Sequence, residues 1–251
     1  MDLNHYLGHT FVISLSEDVK KRSRLVKNLH SLGVYPELFI TERITDIAEG
    51  LIKTTPRTDR FFISKPGELG CMHSHYTLVK MAKLRGLPKI TIIEDDSLVM
   101  KDWERTVGPS FDAVPEDWHF LYLNSCPRFP DANFEFISNK RIVRAWCFSC
   151  TSAYTIRDTF YDRVIENFES GIYVADNVYG WLQNLDPNDK NVPDWTGGPH
   201  YSKEWNMYGL NPSLFIPNTK TNSSIREADE DHEFEYHIKN NFTVPDPNHY
   251  S

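Results

Sequence analysis

The stretch Ile90-Thr-Ile-Ile-Glu-Asp-Asp96 decides how this sequence folds. Its first four residues form the most hydrophobic β-branched run of the chain, which is typical of a buried strand. Three consecutive carboxylates end that strand. Burial and mutual repulsion both raise the pKa of carboxylates so close together, so a divalent cation, backbone N–H donors or water must compensate.

The chain upstream of this stretch predicts a β-α-β unit. Residues 11–15 form a short apolar strand, Leu25 and Leu29 recur at helical spacing, and Gly33 stands where a C-terminal cap is expected. A second strand is predicted over residues 34–40. Such a unit belongs to a parallel sheet that is covered by helices.

Hydrophobic patterns downstream predict further elements of the same kind. These are a helix over 74–85 and another over 158–168, with strands over 120–123, 152–156 and 214–216. The polar stretch 41–66 and the aromatic stretch after Asp176 up to Leu210 are expected to be loops. Because no internal repeat or linker is visible, we predict one α/β domain over residues 1–251, with a loosely packed tail from about residue 226.

Composition and sequence patterns argue against several classes of protein. The 251 residues carry a net charge of -8, which argues against a nucleic-acid partner. The first ten residues are polar and no apolar run approaches the about 20 residues that span a membrane, so we expect no transmembrane segment and a cytoplasmic protein. In that setting the sequons at Asn222 and Asn241 are idle. Cys147 and Cys150 have metal-ligand spacing, but no second pair accompanies them, which favours ordinary strand residues over zinc ligands.

The position of the acidic run indicates a metal site. Ligands of open α/β sheets bind outside the carboxyl ends of the strands, and carboxylate oxygens suit Mg²⁺ or Mn²⁺. If the strand continues, Glu94 and Asp96 face one side as a metal-binding pair. Asp95 then faces the other side, toward a ribose hydroxyl or a backbone amide. A solvated acidic turn is the alternative.

Two blocks of the sequence resemble glycosyltransferase family 25. They are Gly67-Glu-Leu-Gly-Cys-Met-His-Ser-His75 and, about twenty residues later, Ile92-Ile-Glu-Asp-Asp96. The family includes bacterial lipopolysaccharide galactosyltransferases and collagen β-galactosyltransferases. The resemblance extends to residues 11–15 with Lys21 and Arg22, to 152–156, 174–176 and 212–215, and to 223–225.

The resemblance implies a fold and an activity. The fold is the GT-A type, a Rossmann-like α/β arrangement with a mixed, mostly parallel sheet flanked by helices. The activity is inverting transfer from a UDP-sugar, with Mn²⁺ or Mg²⁺, to a hydroxyl of a glycan or protein-linked acceptor. Asp176 matches the family's Asp and is the candidate base, and Glu94 and Asp96 are the candidate metal ligands. The positions implied in donor binding are Ser14, Leu15, Lys21, Glu68, Ser74, His75 and Asp95.

The sequence departs from the family at several donor positions. Ser14 replaces an Asn, Lys21 an Arg, Pro217 a Gln and Ser224 an Asp, and residues 40–46 lack the family's Ala-Val-Asp-Gly. Galactose is therefore the default sugar, with glucose or a pentose as alternatives.

Each candidate residue also has a structural interpretation. Asp176, Glu68 and Ser74 are residue types that cap helices, and basic residues such as Lys21 often lie on a solvated face. The aromatic group in the late part of the chain could line an acceptor cleft or could simply pack in the interior; its members are Trp195, Tyr201, Trp205 and Tyr208. A further metal ligand could come from any of three histidines, His200, His232 and His237.

Two other functions fit the same residues. One is a catalytically idle module that binds sugar nucleotide or glycan. The other is a metal-dependent phosphohydrolase, which is less favoured because the sequence has no second metal-binding cluster.

Overall fold

The computed structural model of the chain describes residues 2–47, 63, 65–127, 134–145, 148–169, 174–176, 178–179, 206–218 and 250. It begins with a short helix that the sequence pattern did not predict, α1 (Leu3–Leu7), capped by the Asp2 side chain, which accepts from the Asn4 backbone N–H at 3.0 Å. The buried Leu3 and Leu7 attach this helix to the core.

The predicted β-α-β opening is confirmed. Strand β1 (His9–Leu15) is followed by helix α2 (Val19–Ser31) and by β2 (Glu37–Thr41), which lies parallel to β1. Gly33 follows the helix with a φ of 77°, a conformation that glycine adopts without a steric penalty. The second strand starts three residues later than predicted, after Pro36, which has no N–H for a sheet hydrogen bond.

The next unit places the acidic run beside β1. Helix α3 (Pro66–Leu84) leads to β3 (Lys89–Glu94), which lies parallel to β1 on the side opposite β2. In this register Ile13 pairs with Glu94, and the Asp95 N–H donates to the Ile13 carbonyl at 3.1 Å. The carboxyl ends of β1 and β3 therefore meet at one edge of the sheet.

The remaining described elements complete the sheet and its covering layers. They are β4 (Ser97–Val99), α4 (Trp103–Thr106), α5 (Gly108–Phe111), β5 (Phe120–Tyr122), β6 (Cys126–Pro127), β7 (Phe134–Ile137), β8 (Ile142–Ala145), β9 (Phe148–Ser149), β10 (Ala153–Arg157), a 3₁₀ turn (Asp158–Phe160), α6 (Tyr161–Glu169), β11 (Met207–Leu210) and β12 (Phe215–Pro217).

Within the described part of the chain, the main sheet has eight strands in the order β2-β1-β3-β10-β5-β11-β8-β7. Neighbours are parallel in β2–β1, β1–β3 and β5–β11, and antiparallel elsewhere. Two small antiparallel ribbons, β4 with β12 and β6 with β9, lie outside it. The predicted α/β class, with a mixed sheet flanked by helices, is confirmed.

Strand β11 corrects one prediction. Its residues lie at the end of the stretch that the sequence analysis assigned to loops, yet all four are buried between β5 and β8. A strand buried on both faces shows no alternation of polar and apolar residues, so its pattern did not stand out.

Alternate residues of the strands divide the core into two layers. Phe11 and Ile92 pack on one face with Leu78 of α3, whereas Val12 and Ile93 pack on the other with α1 and α2. All are fully buried, and burial of each such side chain stabilises the folded state by about 1.5–3 kcal/mol relative to leaving it exposed.

Only Tyr250 is described in the predicted tail. It is buried, pairs with Met100, and donates its hydroxyl hydrogen to the Ser213 carbonyl at 3.0 Å. Across the described ranges, no helix combines the length and hydropathy needed to cross a membrane.

Candidate active site

The Gly67–His75 block is helical, which corrects the prediction that the helix starts at residue 74. Helix α3 begins eight residues earlier, at Pro66, a residue suited to the first turn because it needs no N–H partner there. Glu68 accepts from the Lys65 N–H at 3.0 Å, so its side chain caps this helix. Ser74 is therefore not an N-cap: its hydroxyl donates to the Gly70 carbonyl at 2.8 Å, one turn back.

The helical path of the block directs two side chains at Glu94. Cys71 and His75 are four residues apart and so lie on one face of α3. The Cys71 thiol donates to Glu94 Oε1 at 3.6 Å, and His75 Nε2 lies 3.1 Å from the same oxygen. His75 is fully buried, whereas the Glu94 side chain is 29% exposed. Glu94 therefore opens to solvent on one side and is held by α3 on the other.

The opposite nitrogen of His75 continues a buried hydrogen-bonded chain. Its Nδ1 lies 2.8 Å from the Tyr154 hydroxyl, which lies 2.6 Å from the Tyr179 hydroxyl. If His75 Nε2 carries the hydrogen toward Glu94, Nδ1 accepts from Tyr154, and Tyr154 accepts from Tyr179. The orientation of Glu94 is thus coupled to β10 and to residue 179.

Asp95 is turned toward β1. It lies in the turn after Glu94, because β3 ends there and does not continue through Asp96. The Ser14 hydroxyl donates to Asp95 Oδ2 at 2.5 Å, and Arg22 donates to both the Ser14 oxygen and the Leu15 carbonyl at 2.9 Å. Burial raises the pKa of Asp95 to about 6, although the Ser14 hydrogen bond acts in the opposite direction.

Asp96 differs from Asp95 in its contacts. Its Oδ1 is shielded from solvent and has no hydrogen-bond partner among the described residues. Burial, followed by the charges of Glu94 and Asp95, raises its pKa to about 7. An unpaired carboxylate oxygen in this position is costly, and a cation would relieve that cost.

The acidic run lines an open cleft of about 720 Å³ between β1, β2 and α3. Eight residues of the sequence-based site contribute to its wall: Ser14, Leu15, Lys21, Ser74, His75, Glu94, Asp95 and Asp96. The wall also includes Asp18, Arg43 and Cys71, to which the sequence analysis gave no role. For Cys71 the available signal was its spacing of four from His75.

Two predicted site residues, Glu68 and Asp176, are not part of that wall. Asp176 lies in a helical turn and holds the backbone before β10. Its Oδ2 accepts from the Cys150 N–H at 2.9 Å, and its Oδ1 accepts from the Thr151 N–H at 3.1 Å and the Thr151 hydroxyl at 2.7 Å. Cys150 has a φ of 73°, so this carboxylate braces an unusual backbone conformation.

The Asp176 carboxylate is nevertheless close enough to affect the cleft. Burial is the main cause of a pKa of the Cys71 thiol well above its usual range, and the charges of Glu94, Asp176 and Asp96 add to the effect. The cleft therefore combines buried carboxylates with a neutral thiol.

Several sequence-based candidates lie outside the described residues. These are Cys147, Trp195, His200, Tyr201, Trp205, His232 and His237. Tyr208 is described and lies buried in β11.

A known family and a curated protein both match this chain. Residues 8–177, about two thirds of the chain, match the family described as "Glycosyltransferase family 25 (LPS biosynthesis protein)". Procollagen galactosyltransferase 1-B of Xenopus laevis is 26% identical over 127 residues, which cover 45% of this chain and 20% of that protein. The chain thus spans about a fifth of the length of this curated relative.

Solved structures give more distant likenesses. A glycosyltransferase involved in the glycosylation of the major capsid of PBCV-1 is 11% identical, with a TM-score of 0.42 and coverage of 85% of this chain and 94% of that one. Mannose-1-phosphate geranyltransferase from Thermus thermophilus is 11% identical, with a TM-score of 0.41 and coverage of 83% and 74%. Scores this low carry no functional conclusion.

Proposed function

Because the chain belongs to glycosyltransferase family 25, we propose that it transfers a sugar, galactose by default, from a UDP-sugar to a hydroxyl of a glycan or protein-linked acceptor. The observation that carries this proposal is Asp96 Oδ1, which lies beside Glu94 at the edge where β1 and β3 end and has no hydrogen-bond partner among the described residues. Ligands of α/β sheets bind at such edges.

The carboxylate side chains at this edge of the sheet suit a hard divalent cation. Glu94 and Asp96 offer carboxylate oxygens, which Mn²⁺ and Mg²⁺ prefer, and the raised pKa of Asp96 marks a site where added positive charge stabilises the ionised form. When bound, such a cation supplies positive charge that stabilises the negative charge of the departing diphosphate. Glu94 and Asp96 would hold it, with Glu94 oriented by His75.

Other residues of the cleft suit the nucleotide. Asp95, one of whose oxygens accepts from the Ser14 hydroxyl at the end of β1, is a candidate to accept from a ribose hydroxyl there. Lys21 and Arg43 line the same cleft and are candidates for contact with the phosphates. Arg22 has a structural role instead, because its guanidinium donates hydrogen bonds to the Ser14 hydroxyl oxygen and to the Leu15 carbonyl.

Asp176 is proposed as the base that takes the proton of the acceptor hydroxyl. Inversion requires this base on the face of the sugar opposite the leaving group. Its charge acts on Cys71, which lines the donor cleft, so the carboxylate lies close to the site without forming its wall.

One observation favours a second function, a sugar-nucleotide-binding module without transfer. Asp176 already accepts three hydrogen bonds from Cys150 and Thr151, and a carboxylate so engaged is a weaker base.

A panel of UDP-sugars with Mn²⁺ separates the two functions. Slow hydrolysis should release UDP from at least one donor, and chelation with EDTA should stop the release. A donor that binds tightly while no UDP-sugar in the panel yields UDP, with or without acceptor saccharides, would favour the module.

A further inference from the structure

Three side chains in the cleft are arranged as metal ligands of a different kind from the Glu94–Asp96 pair. The ligand atoms of Cys71, His75 and Glu94 all lie within 4.8 Å of one another. Two separations are 3.6 Å, from Sγ to Oε1, and 3.1 Å, from Nε2 to Oε1. Tetrahedral zinc with ordinary bond lengths of about 2.0–2.3 Å separates its ligand atoms by about 3.3–3.8 Å. Two of the three separations are therefore already close to those that a shared ion requires.

The surroundings of His75 already suit a metal-bound imidazole. A histidine that binds through one nitrogen usually engages the other in a hydrogen bond that fixes its orientation. Nδ1 of His75 has such a partner, the Tyr154 hydroxyl at 2.8 Å, and Nε2 faces Glu94. The imidazole therefore presents Nε2 in a fixed direction.

The site is also reachable and negatively charged. All three residues line the open cleft, so an ion from solvent can reach them. The charges of Asp96 and Asp176 help to raise the pKa of the Cys71 thiol and so disfavour a free thiolate, and a bound cation would offset these charges. With three protein ligands, a tetrahedral ion would keep its fourth position for water or a ligand.

We propose that Cys71, His75 and Glu94 form a binding site for a thiophilic divalent cation of the Zn²⁺ class. Binding breaks the Cys71 S–H bond and forms a sulfur–metal bond, and the proton leaves to solvent. His75 binds as the neutral tautomer whose hydrogen is on Nδ1 and is donated to the Tyr154 hydroxyl, so Nε2 offers its lone pair to the metal. The mixed sulfur, nitrogen and oxygen set selects against Mg²⁺ and Mn²⁺, which prefer oxygen ligands. Because the site shares Glu94 with the Glu94–Asp96 pair, zinc should antagonise Mn²⁺-dependent UDP binding, a consequence that rests on the proposed function.

Cobalt provides a direct probe of this site. Co²⁺ added to the full chain should give a thiolate-to-cobalt charge-transfer band and the intense visible bands of four-coordinate cobalt, and Zn²⁺ should abolish both. In Cys71→Ser the charge-transfer band should vanish. The affinity for Zn²⁺ should also fall, by more than the about 10- to 100-fold that is lost when a residue that only orients a metal ligand is removed. His75→Asn should also lose the four-coordinate bands.

The matched control is Cys150→Ser, which removes a buried thiol outside the triad and should leave the spectrum unchanged. Circular dichroism identifies folded variants, and Cys71→Ala serves if Cys71→Ser does not fold. Absence of the charge-transfer band in the wild-type chain, or its persistence in a folded Cys71 variant, would overturn the proposal. The spectra require no nucleotide, so failure of UDP binding and failure of this site are separate results.

Discussion

The Ser14 hydroxyl lies 2.5 Å from the Asp95 carboxylate and joins the ends of β1 and β3. Asp95 is consequently part of the structural frame of the cleft, whereas Asp96 Oδ1, one residue on, has no partner in the described part of the chain. Neighbouring carboxylates of one run therefore differ in their contribution to stability and to ligand binding.

Removing the Ser14 hydroxyl should destabilise the fold. Ser14→Ala leaves the buried Asp95 carboxylate without its side-chain donor, which should cost about 1–3 kcal/mol in the free energy of unfolding at pH 8. Urea denaturation measures the change. Ser31→Ala is the matched control, because the exposed Ser31 hydroxyl donates only locally, to the Asn28 carbonyl at 2.7 Å. Equal stability of both variants would contradict a structural role for Ser14.

The contribution of Asp95 and Asp96 to stability should fall as the pH rises through the acidic range when no metal is present. The pKa values of Asp95 and Asp96 are raised to about 6 and about 7 in the folded chain, against about 3.9 in an unfolded one. Between about pH 4 and pH 7 these two carboxyl groups therefore hold protons in the folded state that they have released in the unfolded state, so their contribution to the free energy of unfolding decreases with increasing pH.

Asp96→Asn should reduce that dependence. At pH 8 in EDTA the variant should be more stable than the wild-type chain by on the order of 1–3 kcal/mol, and near pH 4 the two should agree. Urea denaturation across this range provides the comparison, with the exposed Asp162→Asn as control. A wild-type pH profile in Asp96→Asn would show that Asp96 is not the strained group.

Tyr154→Phe should weaken metal binding without unfolding the chain. The variant deletes the hydroxyl that meets His75 Nδ1 at 2.8 Å, and His75 in turn orients Glu94. We expect the Mn²⁺ concentration needed for half-maximal UDP binding to rise about tenfold. In Tyr161→Phe it should not change, because that hydroxyl donates to the Leu87 carbonyl, outside the site. A lower melting temperature with unchanged Mn²⁺ dependence would reduce Tyr154 to a packing role.

Asp176→Asn should separate binding from transfer. The amide keeps one acceptor oxygen for Thr151 but cannot take a proton, so UDP affinity should persist while transfer falls at least about 100-fold. Thr151→Ala is the control, since it removes one hydrogen bond to Asp176 and retains the carboxylate. Transfer near the wild-type rate in Asp176→Asn would leave Asp176 as a brace for residues 150 and 151.

The sequence predicted the parts of the fold that local patterns encode. The strand before Glu94 and the helix carrying Leu25 and Leu29 were predictable because hydrophobic periodicity reports burial directly. The start of α3 was not, because Pro66, Gly67 and Gly70 resemble loop residues until Pro66 is seen in the first helical turn.

Local sequence patterns could not predict contacts between segments that are far apart in the chain. His75 and Tyr154 are 79 residues apart, and their hydrogen bond depends on the antiparallel pairing of β10 with β3. The contacts of Asp176 with Cys150 and Thr151 depend likewise on how two segments meet. The sequence could nominate Asp176 but could not show that its oxygens are already engaged.

Titration calorimetry of UDP with and without Mn²⁺ tests most directly whether Glu94 and Asp96 hold a divalent cation for a UDP-sugar. The wild-type chain should bind UDP at least about tenfold more tightly with Mn²⁺ than in EDTA. Folded Asp96→Asn should lose this difference, whereas Asp162→Asn should keep it. Wild-type Mn²⁺-dependent affinity in Asp96→Asn, or no effect of Mn²⁺ on the wild-type chain, would contradict this assignment.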